Sequence, residues 1–91
     1  MKVYSIYDGA VKAFMRPFMG MSHGDAIRAF KDLASDAQHP VGKHPEDYSL
    51  FHVGHFDDQT GLLTGETAPH SLGNALEYVA AAQQMKAVND A

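Results

Sequence analysis

The segment from Tyr48 to Phe56 constrains the fold more than any other part of the chain. It is rich in aromatic and β-branched residues and has the length of a β-strand. Pro45 precedes it, at a position where a missing backbone N–H removes no hydrogen bond from a sheet. Both faces of the segment are partly apolar, which is more typical of a central strand than of an edge strand. The segment therefore predicts a central strand.

Alternation along this strand divides its side chains between two faces of the sheet. Phe51 and Val53 are expected on one face, whereas Leu50, His52 and Phe56 are expected on the other.

Residues 57–61, with the sequence Asp-Asp-Gln-Thr-Gly, are typical of a tight turn. Aspartate side chains accept hydrogen bonds from nearby backbone N–H groups, and Gly61 tolerates a positive φ. Residues 62–64 then predict the returning strand of a hairpin.

A second hairpin is predicted near the start of the chain. Residues 3–7 alternate like a strand, and Asp8-Gly9 is a strong two-residue turn signal. Residues 11–15 would form the returning strand. An irregular loop over residues 9–21, held by apolar anchors, is the alternative that the sequence leaves open.

Each hairpin is followed by a predicted helix. Ser22 is a suitable N-cap for the first helix, with Asp25 three residues later as in a capping box. Pro69 should end the strand before the second helix, and Ser71 is its expected N-cap. The first helix has an apolar stripe at helical spacing, formed by Ala26, Ile27, Phe30, Leu33 and Ala34.

The two halves of the chain resemble each other when one is shifted by about 49 residues, an offset that places residues 22–27 on residues 71–76. We therefore predict an α+β fold of two ββα units, which form a mainly antiparallel four-stranded sheet with two helices on one face. The expected single domain spans residues 1–91. Its parts are a first unit (1–36), a linker loop (37–47), a second unit (48–87) and a frayed tail (88–91).

Composition restricts the function classes. The 91 residues carry a net charge of −4, which argues against a protein that condenses a genome by bulk charge. Residues 1–43 hold six cationic and four acidic side chains, whereas residues 44–91 hold one and seven. The sequence has no cysteine, so it cannot form disulfides. It has no apolar run of the length that spans a membrane, and its first residues do not resemble a signal peptide.

The sequence shows no arrangement of residues that indicates an enzyme or a cofactor site. His52 and His55 are three apart on a strand, and regular alternation would place them on opposite faces, so no metal site is predicted. Ser22, Thr60 and Ser71 lack a base and an orienting partner nearby. We therefore expect a non-enzymatic protein.

A basic half with interspersed aromatic residues is compatible with binding of single-stranded nucleic acid. If Tyr4, Ile6, Phe51 and Val53 face the helices, then the open face of the sheet resembles the stacking surface of sheet-type single-strand binders. That face would carry Ser5, Tyr7, Leu50, His52 and Phe56. Equally, these aromatic residues belong to the core or to a dimer interface, and the cations form a solvated surface.

Several segments resemble the small nonstructural protein of gokushovirus-type microviruses, which are tailless phages with circular single-stranded DNA genomes. The resemblance covers roughly the first two thirds of the chain. It rests on Ser5-Ile6-Tyr7-Asp8, Arg16-Pro17-Phe18, Ala26-Ile27-Arg28-Ala29-Phe30 and the whole of residues 44–61.

The resemblance implies a DNA-binding or nonstructural protein that is made in the cytoplasm of the infected bacterium and is absent from the virion. Its role would be to assist single-stranded genome synthesis or the switch from replication to packaging. No catalytic residues come with the resemblance.

Two hypotheses follow. The first is a single-stranded DNA-binding protein, expected to be a dimer. The second is a regulator that binds a phage replication or assembly protein, or a second copy of itself, through Leu50, His52 and Phe56. The candidate DNA contacts are Lys2, Lys12, Arg16, Arg28, Lys31, Lys43, Tyr7 and Phe18.

Overall fold

The computed structural model describes the backbone of residues 1–90 and the side chains of residues 1–83. The described residues form a sheet of five strands, two longer helices and one short helix. The strands are β1 (Lys2–Asp8), β2 (Ala13–Phe14), β3 (Phe18–Gly20), β4 (Tyr48–Phe56) and β5 (Leu63–Asn74), and the helices are α1 (His23–Ala34), α2 (Pro40–Lys43) and α3 (Ala75–Asp90).

All strand pairs are antiparallel, in the order β2-β1-β4-β5, with β3 also paired to β1. The two hairpins therefore meet through β1 and β4. The prediction of Tyr48–Phe56 as a central strand is confirmed, since β4 pairs with β1 on one side and β5 on the other. The α+β class, with two helices packed on the sheet, is also confirmed.

The core lies between one face of the sheet and the helices. Tyr4 and Leu50 are completely buried and pack with Phe30 of α1 and Ala75 of α3. The register places Tyr4 opposite His52 and Ile6 opposite Leu50.

The predicted assignment of β4 to its two faces is therefore wrong: Leu50 and His52 face the helices, and Phe51 faces away from them. Both faces of β4 are apolar, so its own pattern did not distinguish them, and the pairing with β1 decided the orientation.

The first hairpin is confirmed, although its turn is longer than predicted. Asp8 pairs with Ala13, so the connection has four residues rather than two. The Asp8 carboxylate accepts a hydrogen bond from the backbone N–H of Ala10 at 2.9 Å. Lys12 closes the turn with a φ of 59°. The returning chain extends beyond the predicted residues 11–15, because β3 resumes pairing with β1 after Pro17.

Helix α1 forms as predicted. The Ser22 hydroxyl accepts a hydrogen bond from the backbone N–H of Asp25 at 3.1 Å, which satisfies one of the free N–H groups at the helix start. The apolar stripe faces the sheet, with Ala26, Phe30 and Ala34 buried.

The expected linker loop, residues 37–47, is more ordered than predicted. It contains α2 and a single 3-10 turn over Pro45–Asp47. His39 caps α2 by accepting a hydrogen bond from the backbone N–H of Val41 at 3.1 Å.

The second hairpin differs most from the prediction. Strand β5 extends to Asn74, well beyond the predicted 62–64, and includes Pro69. Proline is tolerated there because β5 lies at the edge of the sheet. Ser71 was expected to cap the second helix, but it pairs with Phe51 inside the sheet.

Asn74 takes the capping position of α3. Its side-chain oxygen accepts a hydrogen bond from the N–H of Leu76 at 3.0 Å. The helix extends to Asp90, and Ala91 lies outside the described residues. Fraying of residues 88–91 stays a prediction.

Candidate functional site

Three aromatic side chains lie together on the face of the sheet opposite the helices. Tyr7 and Phe14 are directly paired across β1 and β2, with ring centroids 4.9 Å apart. The Phe51 ring meets both of them edge-on, at 6.3 Å from Tyr7 and 5.4 Å from Phe14. Phe14 is 46% exposed. We call Tyr7, Phe14 and Phe51 the aromatic patch.

The candidate cations do not gather around this patch. Lys12 is exposed in the turn that leads into β2, two residues before Phe14. Arg16 is exposed at the edge of the sheet, where it lines an apolar groove with Phe18 and Leu33 of α1.

The remaining candidate contacts lie elsewhere. Phe18 stacks on the buried ring of Tyr4 at 5.8 Å and packs against the core. Lys31 of α1 sits 5.4 Å from the centre of the Tyr78 ring, as a cation–π contact between α1 and α3. Three candidates occupy separate elements, namely Lys2 in β1, Arg28 in α1 and Lys43 in α2.

The interface candidates are also separated. Leu50 has no exposed surface, so it belongs to the core and is not available to a partner. His52 is only 7% exposed. Phe56 is half-buried near the end of β4 and lies on the face opposite its neighbour His55.

A β-bulge in β4 changes the positions of the histidines. Val3 and Tyr4 are adjacent in β1, but their partners in β4 are Gly54 and His52, so Val53 is an extra residue. One extra residue reverses the alternation beyond it. His52 and His55 therefore lie on the same face, with ring centroids 4.9 Å apart, and the prediction of opposite faces is wrong.

Four of the six histidines converge around this bulge. The ring of His23, at the start of α1, lies 5.0 Å from that of His52. His70 of β5 is the direct cross-strand partner of His52. We call His23, His52, His55 and His70 the histidine cluster.

One histidine of the cluster, His23, contacts the buried Tyr4 ring. The Tyr4 hydroxyl and His23 Nδ1 are 2.8 Å apart. Burial lowers the pKa of His23, and positive charge on Lys2 and on the other three histidines lowers it further. Burial also raises the pKa of the Tyr4 hydroxyl, which therefore stays protonated at neutral pH.

One carboxylate faces the cluster from the neighbouring strand. Glu66 Oε1 lies 3.1 Å from His55 Nε2 and 3.6 Å from His52 Nδ1. These three residues each offer a ligand atom, and all three atoms lie within 4.8 Å of one another. The arrangement has the chemistry of a site for a divalent transition metal.

The sequence matches the family described as "Phage ORF5 protein" over residues 1–78. The chain belongs to this family. It is also 32% identical over 62 residues to "Protein ORF5" of Chlamydia phage 1, and the alignment covers 64% of this chain and 65% of that relative.

These matches confirm the resemblance to a small phage nonstructural protein of microvirus type. No solved structure matches the chain. In the described part of the chain, the helices are too short or too polar to cross a membrane.

The sequence did contain signals for the features that we missed. Gly54 lies in the interior of a strand, which is a common mark of a β-bulge. A bulge between His52 and His55 would have placed the two rings together. The sequence predicts Phe14 in the returning strand of the first hairpin and Phe51 on the face towards the helices. Only the register of β1 with β2 and β4 shows that both rings lie beside Tyr7.

Proposed function

We propose that this phage accessory protein binds single-stranded DNA through the aromatic patch. Support comes from one observation above all, which is that three rings lie together on the sheet face that carries no helix in the described part of the chain. Aromatic side chains on an open sheet are the stacking platforms of many single-strand binders.

Two of the predicted contacts fit this proposal best. Tyr7 is part of the patch, and Lys12 lies in the turn beside it, where its ammonium group can reach a phosphate of a strand stacked on Phe14. Few cations adjoin the patch and the chain is acidic overall, so we expect weak binding that depends on salt.

Binding of this kind would assist genome replication, or the switch from replication to packaging, in the cytoplasm of the infected cell. A protein with this role is needed during DNA synthesis and would be absent from the finished virion. It acts as a non-enzymatic binding module.

Titration of fluorescently labelled oligo-dT at several salt concentrations tests the proposal. Phe14→Ala should weaken binding about tenfold, since stacking on one aromatic ring is worth roughly 1–3 kcal/mol. Leu76→Ala is the matched control, because Leu76 is 48% exposed but lies in α3, on the helix side of the sheet. This variant should bind DNA like the wild type.

Charge variants separate this surface from the helix side. Lys12→Gln should reduce the dependence of log K on log salt by about 0.7–1, as expected for the loss of one phosphate contact. Lys43→Gln, in α2, should leave that slope unchanged. A wild-type protein that does not bind at low salt, or a Phe14→Ala variant that binds normally, would contradict the proposal.

Self-association is a second candidate function, and a different surface favours it. Five of the exposed large apolar side chains lie at one end of the sheet, where β1 and β5 begin and β3 ends. They are Met1, Met19, Met21, Leu62 and Leu63. Among the described strands β5 pairs with β4 alone, so its other edge can pair with a second copy.

The molar mass in solution tests this second candidate. A dimer formed through this end should dissociate in the variant Leu63→Arg, whereas Val11→Arg, at the opposite end of the sheet, should remain dimeric. A wild-type monomer at high protein concentration would exclude the dimer.

A further inference from the structure

We propose that His52, His55 and Glu66 bind a divalent transition-metal ion, with Zn²⁺ as the best match. The proposal does not depend on DNA binding, because these residues lie on the helix side of the sheet and the aromatic patch lies on the other side. Three features of the structure support it, namely the backbone, the distances and the burial of His52.

The backbone of two strands is shaped to bring these residues together. The bulge at Val53 puts His52 and His55 on one face of β4. Across the hairpin, Gly54 pairs with Gly65, and His52 pairs with His70. Between these two pairs, Val53 of β4 lies opposite four residues of β5, 66–69. Glu66 is the first of the four and directly follows Gly65.

The distances between the ligand atoms match those of a metal site. Zn²⁺ binds nitrogen and oxygen ligands at about 2.0–2.2 Å in tetrahedral geometry, which separates any two ligand atoms by roughly 3.3–3.5 Å. Glu66 Oε1 lies 3.1 Å from His55 Nε2 and 3.6 Å from His52 Nδ1, on either side of that value. The third distance joins the ligand nitrogens of His52 and His55, and it is at most 4.8 Å. Small rotations of the two rings would shorten it to the value of a metal site.

The burial of His52 is a separate observation. Its Nε2 is a buried polar atom without a hydrogen-bond partner, and no other is found among the described side chains. Its Nδ1, at 3.6 Å from Glu66, is also too far for a hydrogen bond. A metal ion between His52 Nδ1 and Glu66 gives that nitrogen a partner, and Nε2 then carries the ring proton inside the core.

The surrounding histidines complete the site. The His23 ring packs against that of His52, and its own Nδ1 is fixed by the Tyr4 hydroxyl at 2.8 Å. Such contacts hold a ligand ring in one orientation. Two imidazoles and one carboxylate, without cysteine, favour Zn²⁺ over Ca²⁺ or Mg²⁺, which prefer oxygen ligands.

Calorimetric titration of the untagged, chelator-treated protein with ZnCl₂ tests the proposal. The wild type should bind one Zn²⁺ per chain, and a Zn²⁺ concentration of about 100 times Kd should raise Tm by roughly 10–20 °C. His55→Ala and Glu66→Gln should each weaken binding at least tenfold. Both side chains are partly exposed, so the variants should keep the wild-type Tm in chelator.

His44→Ala is the matched control, because His44 lies in another group of possible ligands, with Glu46 and Asp47. This variant should bind Zn²⁺ like the wild type. The proposal is overturned if the wild type takes up no Zn²⁺, if His55→Ala binds normally, or if His44→Ala is the variant that loses the metal.

Discussion

The two halves of this protein follow the same ββα plan but use it differently. In the first half, four consecutive residues of β1 are buried, from Val3 to Ile6, and α1 contributes Ala26, Phe30 and Ala34 to the core. In the second half, β4 is equally central, but residues 63–71 of β5 are all exposed. Of the described α3 side chains, only Ala75 is fully buried.

This difference suggests a division of roles. The first half and β4 supply most of the buried apolar surface that stabilises a domain of this size. The returning strand β5 contributes little to the core, and it is the strand that carries Glu66 and His70 and leaves a free edge. Residues in β5 are therefore free to serve binding.

The largest expected effect concerns the core of the first half. Phe30→Ala removes a completely buried ring between the sheet and both helices, and should cost about 3–5 kcal/mol of unfolding free energy. Leu76→Ala changes α3, the corresponding helix of the second half. It removes a side chain that is 48% exposed, and it should lower the unfolding free energy by less than about 1 kcal/mol.

Urea denaturation followed by circular dichroism measures both variants. Equal losses of unfolding free energy would contradict the division of roles between the two halves.

A smaller effect is expected at the pair of glycines that joins β4 to β5. Gly54→Ala places a methyl group against the backbone carbonyl of Thr64, and should cost about 1–3 kcal/mol. Gly65→Ala, at the residue paired with Gly54, meets no atom closer than 4.0 Å and should be nearly neutral.

Thermal unfolding of the two variants compares one position on each strand of the same pair. A larger loss of Tm in Gly65→Ala than in Gly54→Ala would contradict the close contact between Gly54 and the Thr64 carbonyl.

The smallest effect concerns the turn of the second hairpin. The Asp57 carboxylate accepts hydrogen bonds from the N–H groups of Gln59 and Thr60, and these bonds hold its pKa below the usual value. A carboxyl group whose pKa is lowered on folding stabilises the fold above its unfolded pKa of about 4, and this stabilisation is lost as the pH falls below that value.

Asp57→Ala should therefore lower Tm by a few degrees at pH 7, and the difference from the wild type should vanish near pH 2–3. Asp58→Ala, at the exposed neighbour in the same turn, should have little effect at either pH. A Tm difference for Asp57→Ala that persists in acid would show that the carboxylate charge is not responsible.

Much of the fold could be predicted because it depends on local chemistry. Ser22 caps α1, Gly61 has the expected positive φ, and β4 begins and ends at the predicted residues. The end of β5 could not be predicted, because Pro69 normally ends a strand and is accepted here only at a sheet edge.

The candidate sites depended on contacts that the sequence could not give. Tyr7 was identified from its residue type, but its neighbours Phe14 and Phe51 follow from the register of three strands. Regular alternation predicts His52 and His55 on opposite faces, because it does not include the extra residue Val53.

The sequence by itself determined the α+β class, the two hairpin-and-helix units, the central strand and the first helix, because periodicity, caps and turn residues act over a few neighbours. Only the tertiary structure decided which face of β4 is buried and which side chains meet around Glu66. The physical reason is that strand register and bulges are set by the packing of whole elements against one another, and a shift of one residue moves every side chain beyond it to the other face.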